Sequence, residues 1–258
     1  MGRKRKTIAT VVSQNEIAPQ IYDLWLETDL AKEACPGQFV AVYPKDGAML
    51  LPRPISVCET QKDKNRIRLV YRIAGAGTKE FASYRVGEEA EILGVLGNGF
   101  PVSCAQGKNV FLMGGGIGIP PLLQLAKEMQ AHKQIIVGYR DQELFLAKEL
   151  AQYGTLYVAT EDGSVGCRGN VMDAIEQNGL QADIIMACGP MPMLRAIKKY
   201  AEQKGIEAYI SLEERMACGV GACLGCVCKT KEIDSHSHVH NARICTDGPV
   251  FEAREVDI

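Results

Sequence analysis

Four cysteines near the C-terminal end carry the densest chemistry in this chain. Cys218, Cys223 and Cys226 lie in the run MACGVGACLGC at 216–226, and Cys245 lies in RICTDGPVF at 243–251. Cys-x4-Cys-x2-Cys followed by a distant fourth cysteine is a spacing with which thiolates hold a 2Fe–2S cluster. The interleaved Gly219, Gly221 and Gly225 fit that reading. A loop wrapped round a cluster needs positive φ angles and N–H groups close to sulfur, and glycine supplies both at least cost. Other chemistries fit less well. No secretory segment opens the chain, which argues against a disulfide framework. A zinc site usually takes two separated Cys-x2-Cys pairs. Cys228, two residues past Cys226, could substitute as a ligand, but its alternation points to the opposite face of a strand, so it reads as a spare thiol. Between Cys228 and Cys245 stand His236, His238 and His240. On one strand face they would bind a metal; the simpler reading is an exposed, polar hairpin tip.

The rest of the chain must position this site. Its 258 residues suggest two domains or a little more, and 47% hydrophobic content is enough for real cores. A formal net charge of -2 gives no reason to propose nucleic acid as a partner. The basic run at 2–6 reads as a solvated tail, with targeting or lipid binding as the alternative. No apolar run approaches the ~18 residues needed to span a bilayer. Ten cysteines point to a reducing compartment, the cytoplasm.

Residues 7–13, 21–28, 37–43, 66–72 and 89–96 alternate as short strands with turn residues between them, which predicts a closed antiparallel barrel. Beyond Pro101 the pattern changes. Apolar strands at 109–113, 134–139, 156–160, 183–188 and 206–212 alternate with helices at about 122–131, 145–150, from 170, and 191–204. That alternation predicts a parallel, doubly wound sheet. The expected domains are 1–101 (barrel), 102–210 (α/β) and a small cluster-binding, ferredoxin-like domain at 211–258.

Gly114, Gly115, Gly116 and Gly118 lie between a strand and a helix, where backbone N–H groups face an anion. The match to the dinucleotide fingerprint is partial, because Pro120 and Pro121 occupy the helix start. The alternative is a tight strand–helix turn. Cys188-Gly189-Pro190 and the stretch 160–164 also follow strand C-termini, the edge at which open α/β sheets bind ligands. Arg140 and Asp141 follow the second strand of this region. The arginine suits a 2′-phosphate and the aspartate a free ribose hydroxyl. In the barrel, Arg53-Pro54-Ile55-Ser56 could hold a diphosphate or a flavin edge. Tyr71 could stack on an isoalloxazine ring or be barrel core, and residues 75–78 could face a phosphate or form only a turn.

Taken in order, Arg-Pro-x-Ser, Gly-Gly-Gly-Ile-Gly-x-x-Pro and Cys-Gly-Pro-x-Pro-Met-Leu resemble the ferredoxin–NADP reductase superfamily. With Cys-x4-Cys-x2-Cys and Cys-x-Asp-Gly-Pro-Val-Phe, the chain is similar to one branch, the electron-transfer subunits of dihydroorotate dehydrogenase type B. The resemblance spans nearly the whole chain. It implies FAD held by Arg53, Pro54, Ile55 and Ser56, by Val70, Tyr71 and Arg72, and by Gly77 and Thr78. It implies NAD as co-substrate at Gly114 to Gly118 with Cys188, Gly189 and Pro190, and a 2Fe–2S cluster on Cys218, Cys223, Cys226 and Cys245. It further implies an FMN-containing catalytic partner that oxidises dihydroorotate in pyrimidine biosynthesis, in a heterotetramer of two plus two. Electrons would pass through cluster and FAD to NAD+, and no acid–base residues are expected here. The neighbouring branch is the small subunit of ferredoxin:NADP oxidoreductases and sulfide dehydrogenases, which is associated with an Asp at one cluster position; here all four are Cys.

Overall fold

Alternating burial shapes the first part of the chain. The computed structural model describes residues 4–233 and 238–258. Six strands close an antiparallel barrel: β1 (Arg5–Ala18), β2 (Ile21–Glu27), β3 (Phe39–Val42), β4 (Arg53–Gln61), β5 (Arg66–Arg72) and β6 (Glu89–Leu96). They run in the order β1-β2-β5-β4-β3-β6. Leu24, Leu26, Val40, Ile67, Leu69 and Ile92 point inward and are fully buried. Each such side chain contributes about 1.5–3 kcal/mol. A buried ionic group fixes the register of β2, β4 and β5. The Arg68 guanidinium donates to both Asp23 carboxylate oxygens at 2.9 Å and to Glu59 at 3.3 Å, and lies 5.7 Å from the Trp25 ring centre.

Strand β4 is an addition to the sequence reading, which placed no strand at residues 53–61. Residues 53–56 pair with β3, whereas the pairing with β5 begins only at Val57. Pro54 therefore sits where one side of the strand lacks a neighbour, the place a sheet tolerates proline. Residues 75–78 likewise lead into a short helix, α1 (Ala76–Phe81).

The α/β part is a parallel sheet of β7 (Asn109–Gly115), β8 (His132–Tyr139), β9 (Thr155–Thr160), β10 (Cys167–Arg168), β11 (Ile184–Cys188) and β12 (Glu207–Ser211). Its helices are α2 (Pro121–Glu128), α3 (Ala147–Leu150), α4 (Val171–Gln177) and α5 (Met191–Lys204). Strands β7 and β11 are near-continuous apolar runs, as is the centre of β8 at 135–137, because a parallel sheet is covered on both faces. Asn170 starts α4 by accepting the N–H of Met172 at 2.8 Å, while Asp173 accepts that of Asn170 at 2.7 Å. Gly205, at φ +67°, ends α5 in the left-handed conformation.

The chain ends in short strands too brief to show a period: β13 (Val227–Thr230), β14 (Asn241–Arg243), β15 (Val250–Glu252) and β16 (Val256–Asp257). β15 joins the large sheet antiparallel to β12, and β14-β13-β16 form a sheet of three. By mutual contact the chain forms two units. The barrel unit takes residues up to 99 together with 213–227 and 243–249; the other takes 100–212, 228–242 and 250–258. All four candidate cluster cysteines belong to the barrel unit. Cys228 lies half-buried on β13, in the other unit. His238, at φ +56°, and His240 are exposed in a bend ahead of β14, not on a strand face, and His236 lies outside the described residues.

Candidate functional site

The cysteine loops fold by backbone angles rather than by apolar burial. Gly219 and Gly221 adopt φ of +68° and +87°, and Leu224 +54°, so the chain turns back on itself between ligands. The Val220 N–H lies 3.4 Å from the Cys218 sulfur. The N–H groups of Cys223 and Ala222 and the Cys223 thiol also favour the Cys218 thiolate. Burial pushes the Cys218 thiol up, but these donors outweigh it and bring it down to about 6. Cys245 is the opposite pole. Burial first, then the adjacent Cys226 thiol, push it up to about 12, although the Gly221 N–H opposes them. Cys226 and Cys245 are buried, whereas Cys223 is exposed.

The four free thiols thus neighbour one another in two pairs, Cys218 beside Cys223 and Cys226 beside Cys245. Among the described residues no three His, Cys, Asp or Glu side chains gather as one metal ion would require. A two-iron cluster on four thiolates asks for two at each iron, so paired thiols with N–H donors around them fit that group.

The loops rest on the barrel through glycines. A Cβ on Gly219 would come within 3.2 Å of Leu96 on β6, and one on Gly97 within 2.4 Å of Pro249. Asn98 donates its N–H to the Gly248 carbonyl at 2.6 Å and its side-chain amide to the Asp247 carbonyl at 2.9 Å. Asn98, Arg243 and Asp247 escaped the sequence reading. The only local signal was Arg-x-Cys-x-Asp around Cys245.

The residues expected to hold a flavin fall into two sets. Ile55, Val70 and Tyr71 are buried. The Tyr71 ring stacks on Tyr22 at 6.0 Å, meets Phe81 edge-on at 6.2 Å, and its hydroxyl accepts from Gln14 at 2.7 Å. Of its two readings, the structure shows barrel core for the side chain, and burial raises its ionisation well above the ordinary tyrosine range. Arg53 and Ser56 are half-buried and Arg72 is exposed. Arg53 and Gly77 are in direct apposition: a Cβ on Gly77 would lie 2.7 Å from the Arg53 Nε. The Thr78 hydroxyl accepts from the N–H groups of Ala74 (2.9 Å) and Gly75 (3.2 Å), shaping the turn into α1. Arg53 has no carboxylate partner among the described residues; it donates to the Leu51 carbonyl. A guanidinium without a carboxylate partner, set against the first turn of a helix, is a site that an anionic diphosphate would suit.

In the α/β unit the strand order reverses between β7 and β11, and open sheets bind ligands at that switch point. There Gly114 pairs with Cys188. A Cβ on Gly118 would lie 2.4 Å from the Cys188 carbonyl oxygen and 2.5 Å from the Gly189 Cα. One on Gly115 would lie 2.8 Å from Met193 Sδ and 3.0 Å from Pro190. The structure therefore brings together Gly114, Gly115, Gly118, Cys188, Gly189 and Pro190, with Gly116 at φ +52° beside them. Close packing explains these glycines, and the arrangement is one that would leave room for a diphosphate. Asp141 accepts the N–H of Glu143 at 3.0 Å, and Asp162 that of Ser164 at 2.9 Å. A cavity of about 690 Å³ opens at the opposite end of the strands, beside Asn109, His132 and Thr155. It lies at the edge that open sheets do not use for ligands.

Comparison with known proteins agrees with this arrangement. Residues 213–257 match the model of the iron-sulfur cluster binding domain of dihydroorotate dehydrogenase B. A protein of Shouchella clausii named dihydroorotate dehydrogenase B (NAD(+)), electron transfer subunit, is 44% identical over 262 residues, covering 98% of this chain and 99% of that protein. A protein of the same name from Bacillus mycoides is 44% identical over 254 residues, covering 95% and 96%. A chain in the structure of an NADH-dependent reduced ferredoxin-NADP oxidoreductase superposes with a TM-score of 0.86 at 28% identity, covering 97% of this chain and 90% of that one. A ferredoxin NADP+ reductase from Neisseria gonorrhoeae, solved with FAD and NADP, shares the fold at a TM-score of 0.66 and 16% identity, covering 81% and 94%.

Proposed function

The chain belongs to the family of electron transfer subunits of dihydroorotate dehydrogenase B (NAD(+)), and from that premise we propose which of its residues carry the electrons' cofactors and what partner supplies them. It is an oxidoreductase subunit that works with FAD, an iron–sulfur cluster and NAD+ alongside a catalytic subunit. A flavin supplies the needed conversion, exchanging single electrons with a cluster and pairs with a nicotinamide.

Cys218, Cys223, Cys226 and Cys245 hold the irons, and the N–H groups of Val220, Ala222 and Gly221 direct their dipoles at the sulfurs. Arg53 neutralises the cofactor diphosphate with the first turn of α1, while Ser56, Gly77 and Thr78 shape that cradle. Val70, Tyr71 and Arg72 contribute backbone, because the Tyr71 ring is committed to the core. Gly114 to Gly118 and Cys188-Gly189-Pro190 take NAD+ at the switch point. No side chain is asked to act as an acid or base. The partner we propose is an FMN-containing subunit that oxidises dihydroorotate, in an assembly of two plus two. The ten thiols, all outside disulfides, fit a cytoplasmic setting, and no helix among the described residues is long and apolar enough to cross a membrane.

The observation that carries this reading is the pairing of four cysteine thiols within the barrel unit. Its test is anaerobic purification with and without the catalytic subunit, followed by iron, sulfide and flavin analysis and an assay of dihydroorotate-dependent NAD+ reduction. FAD, cluster and activity only in the mixture are expected. A second reading, the small subunit of a ferredoxin:NAD(P) oxidoreductase or a sulfide dehydrogenase, is favoured by the superposition at TM-score 0.86. FAD and cluster with no coupling to dihydroorotate would select it.

A further inference from the structure

The fourth cysteine sits at the apex of a turn that is tied twice. Through the backbone, the N–H groups of Thr246, Asp247 and Gly248 all point to the Arg243 carbonyl, at 3.0, 2.7 and 3.3 Å. Through the side chains, the Asp247 carboxylate accepts from the Arg243 N–H at 2.7 Å, from its Nε at 3.0 Å and from its Nη2 at 3.2 Å. The Ile244 N–H adds a bond of 2.8 Å to the Cys226 carbonyl, so the turn is fastened to the third cysteine as well.

The remaining terminal nitrogen of Arg243 reaches elsewhere. Its Nη1 lies 3.5 Å from the Gly221 carbonyl oxygen, a long contact to the loop between the first two cysteines. That carbonyl belongs to the same peptide plane as the Ala222 N–H, in the loop whose Val220 N–H lies 3.4 Å from the Cys218 sulfur. One guanidinium thus faces a peptide of the loop that carries the first two cysteines. Asp247 keeps the fork in place, and the pair is about two-thirds buried, with side-chain exposures of 30% and 36%.

We propose that the Arg243–Asp247 pair is a positioning element of the cluster site: it clasps the Cys245 turn shut and aligns the Gly221–Ala222 peptide toward Cys218, linking the first ligand to the fourth and placing a fixed positive charge beside the thiolates. This rests on the cluster assignment above. Outer-shell groups of this kind orient metal ligands and tune the metal. A cluster on four thiolates carries net negative charge, and an added electron increases it. The guanidinium therefore favours the reduced form, as does a peptide dipole aimed at sulfur.

The test uses the full chain with its cluster reconstituted anaerobically and FAD absorbance as the control for folding. Redox titration followed by electron paramagnetic resonance reads the midpoint. R243Q is expected to lower it, cutting the reduced-to-oxidised ratio at fixed poise about threefold, or about 28 mV at 59 mV per decade for one electron. R243K keeps the charge and is expected to recover most of that shift. D247N keeps the arginine but opens the clasp, and is expected to shorten the cluster's half-life in air several-fold with FAD still bound. A wild-type midpoint in R243Q, or R243K no better than R243Q, overturns the proposal. If R243Q loses FAD as well as iron, D247N decides, because a D247N cluster as durable as the wild type overturns the clasp. A wild-type chain that takes up no cluster would instead refute the assignment of the cysteines.

Discussion

Gly219 and Gly221, among the cluster cysteines, stand at φ +68° and +87°, whereas Gly114, Gly115 and Gly118, at the end of β7, lie outside the left-handed region. At the cluster glycines the nearest atoms to an added Cβ are side-chain methyl carbons, of Leu96 at 3.2 Å and of Thr246 at 2.8 Å. The β7 glycines have little room; at Gly118 the obstruction is backbone of residues 188 and 189. One loop needs glycine chiefly for its backbone angle and the other for its missing volume. A glycine-rich stretch is therefore not one signal. A loop that must present N–H groups inward to sulfurs bends the backbone through angles other residues resist. A switch point that must bring two strand ends within contact of a ligand removes side chains.

The largest break in this comparison comes from the thiols that the first loop serves. Cys226→Ser is expected to leave iron and sulfide at background with FAD absorbance retained. Near-stoichiometric iron in that variant would transfer the ligand role to another thiol, Cys228 first. Next is Gly118→Ala. Its Cβ meets backbone that cannot step aside, so we expect a cost of about 2–3 kcal/mol. That is a melting midpoint lower by roughly 4–12 °C, with NAD+ binding weakened at least tenfold by titration and iron content unchanged. An undisturbed midpoint would show that the strand ends can part.

Gly221→Ala is expected to cost about 1–2 kcal/mol from the left-handed angle and to shorten cluster lifetime without touching NAD+ affinity. Pairing it with Thr246→Ser removes the methyl 2.8 Å from the new Cβ and sharpens the comparison. The double variant should regain only the packing part; full recovery would show that volume, not angle, demanded the glycine. The smallest effect belongs to Gly205, which has φ +67° and nothing within 4 Å of an added Cβ. Gly205→Ala isolates the angular cost, about 1 kcal/mol, and Gly205→Asn should cost less because Asn tolerates that conformation. Chemical denaturation of both variants gives the scale for reading Gly221.

Much of this was legible beforehand, for physical reasons that also explain the gaps. The barrel and the parallel sheet announce themselves through periods of burial, as in β2, β5, β7 and β11. The iron–sulfur domain was legible from cysteine spacing within a single loop plus one distant thiol. Strand β4 was hidden because Pro54 normally punctuates a loop, and only the missing neighbour at residues 53–56 makes it acceptable. The strands β10 and β13 to β16 are too short to show alternation. Tyr71 was equally compatible with core and cofactor until its ring was found between Tyr22 and Phe81. Asn98 carries no local signature, because its partner lies 149 positions away, and the Arg243–Asp247 pair shows only as Arg-x-Cys-x-Asp.

The bond from Asn98 to the Asp247 carbonyl spans 149 positions of the chain. During synthesis, therefore, the barrel strands leave the ribosome long before the segments that complete their unit, at 213–227 and 243–249. The whole α/β region is made in the interval. Non-local closure of this kind is slow, since chain entropy must be lost before the contacts reward it. If all four thiols hold the cluster, Cys218, Cys223 and Cys226 emerge before Cys245 and must wait for it. A pulse-labelled nascent chain stalled before that residue should bind flavin more readily than iron.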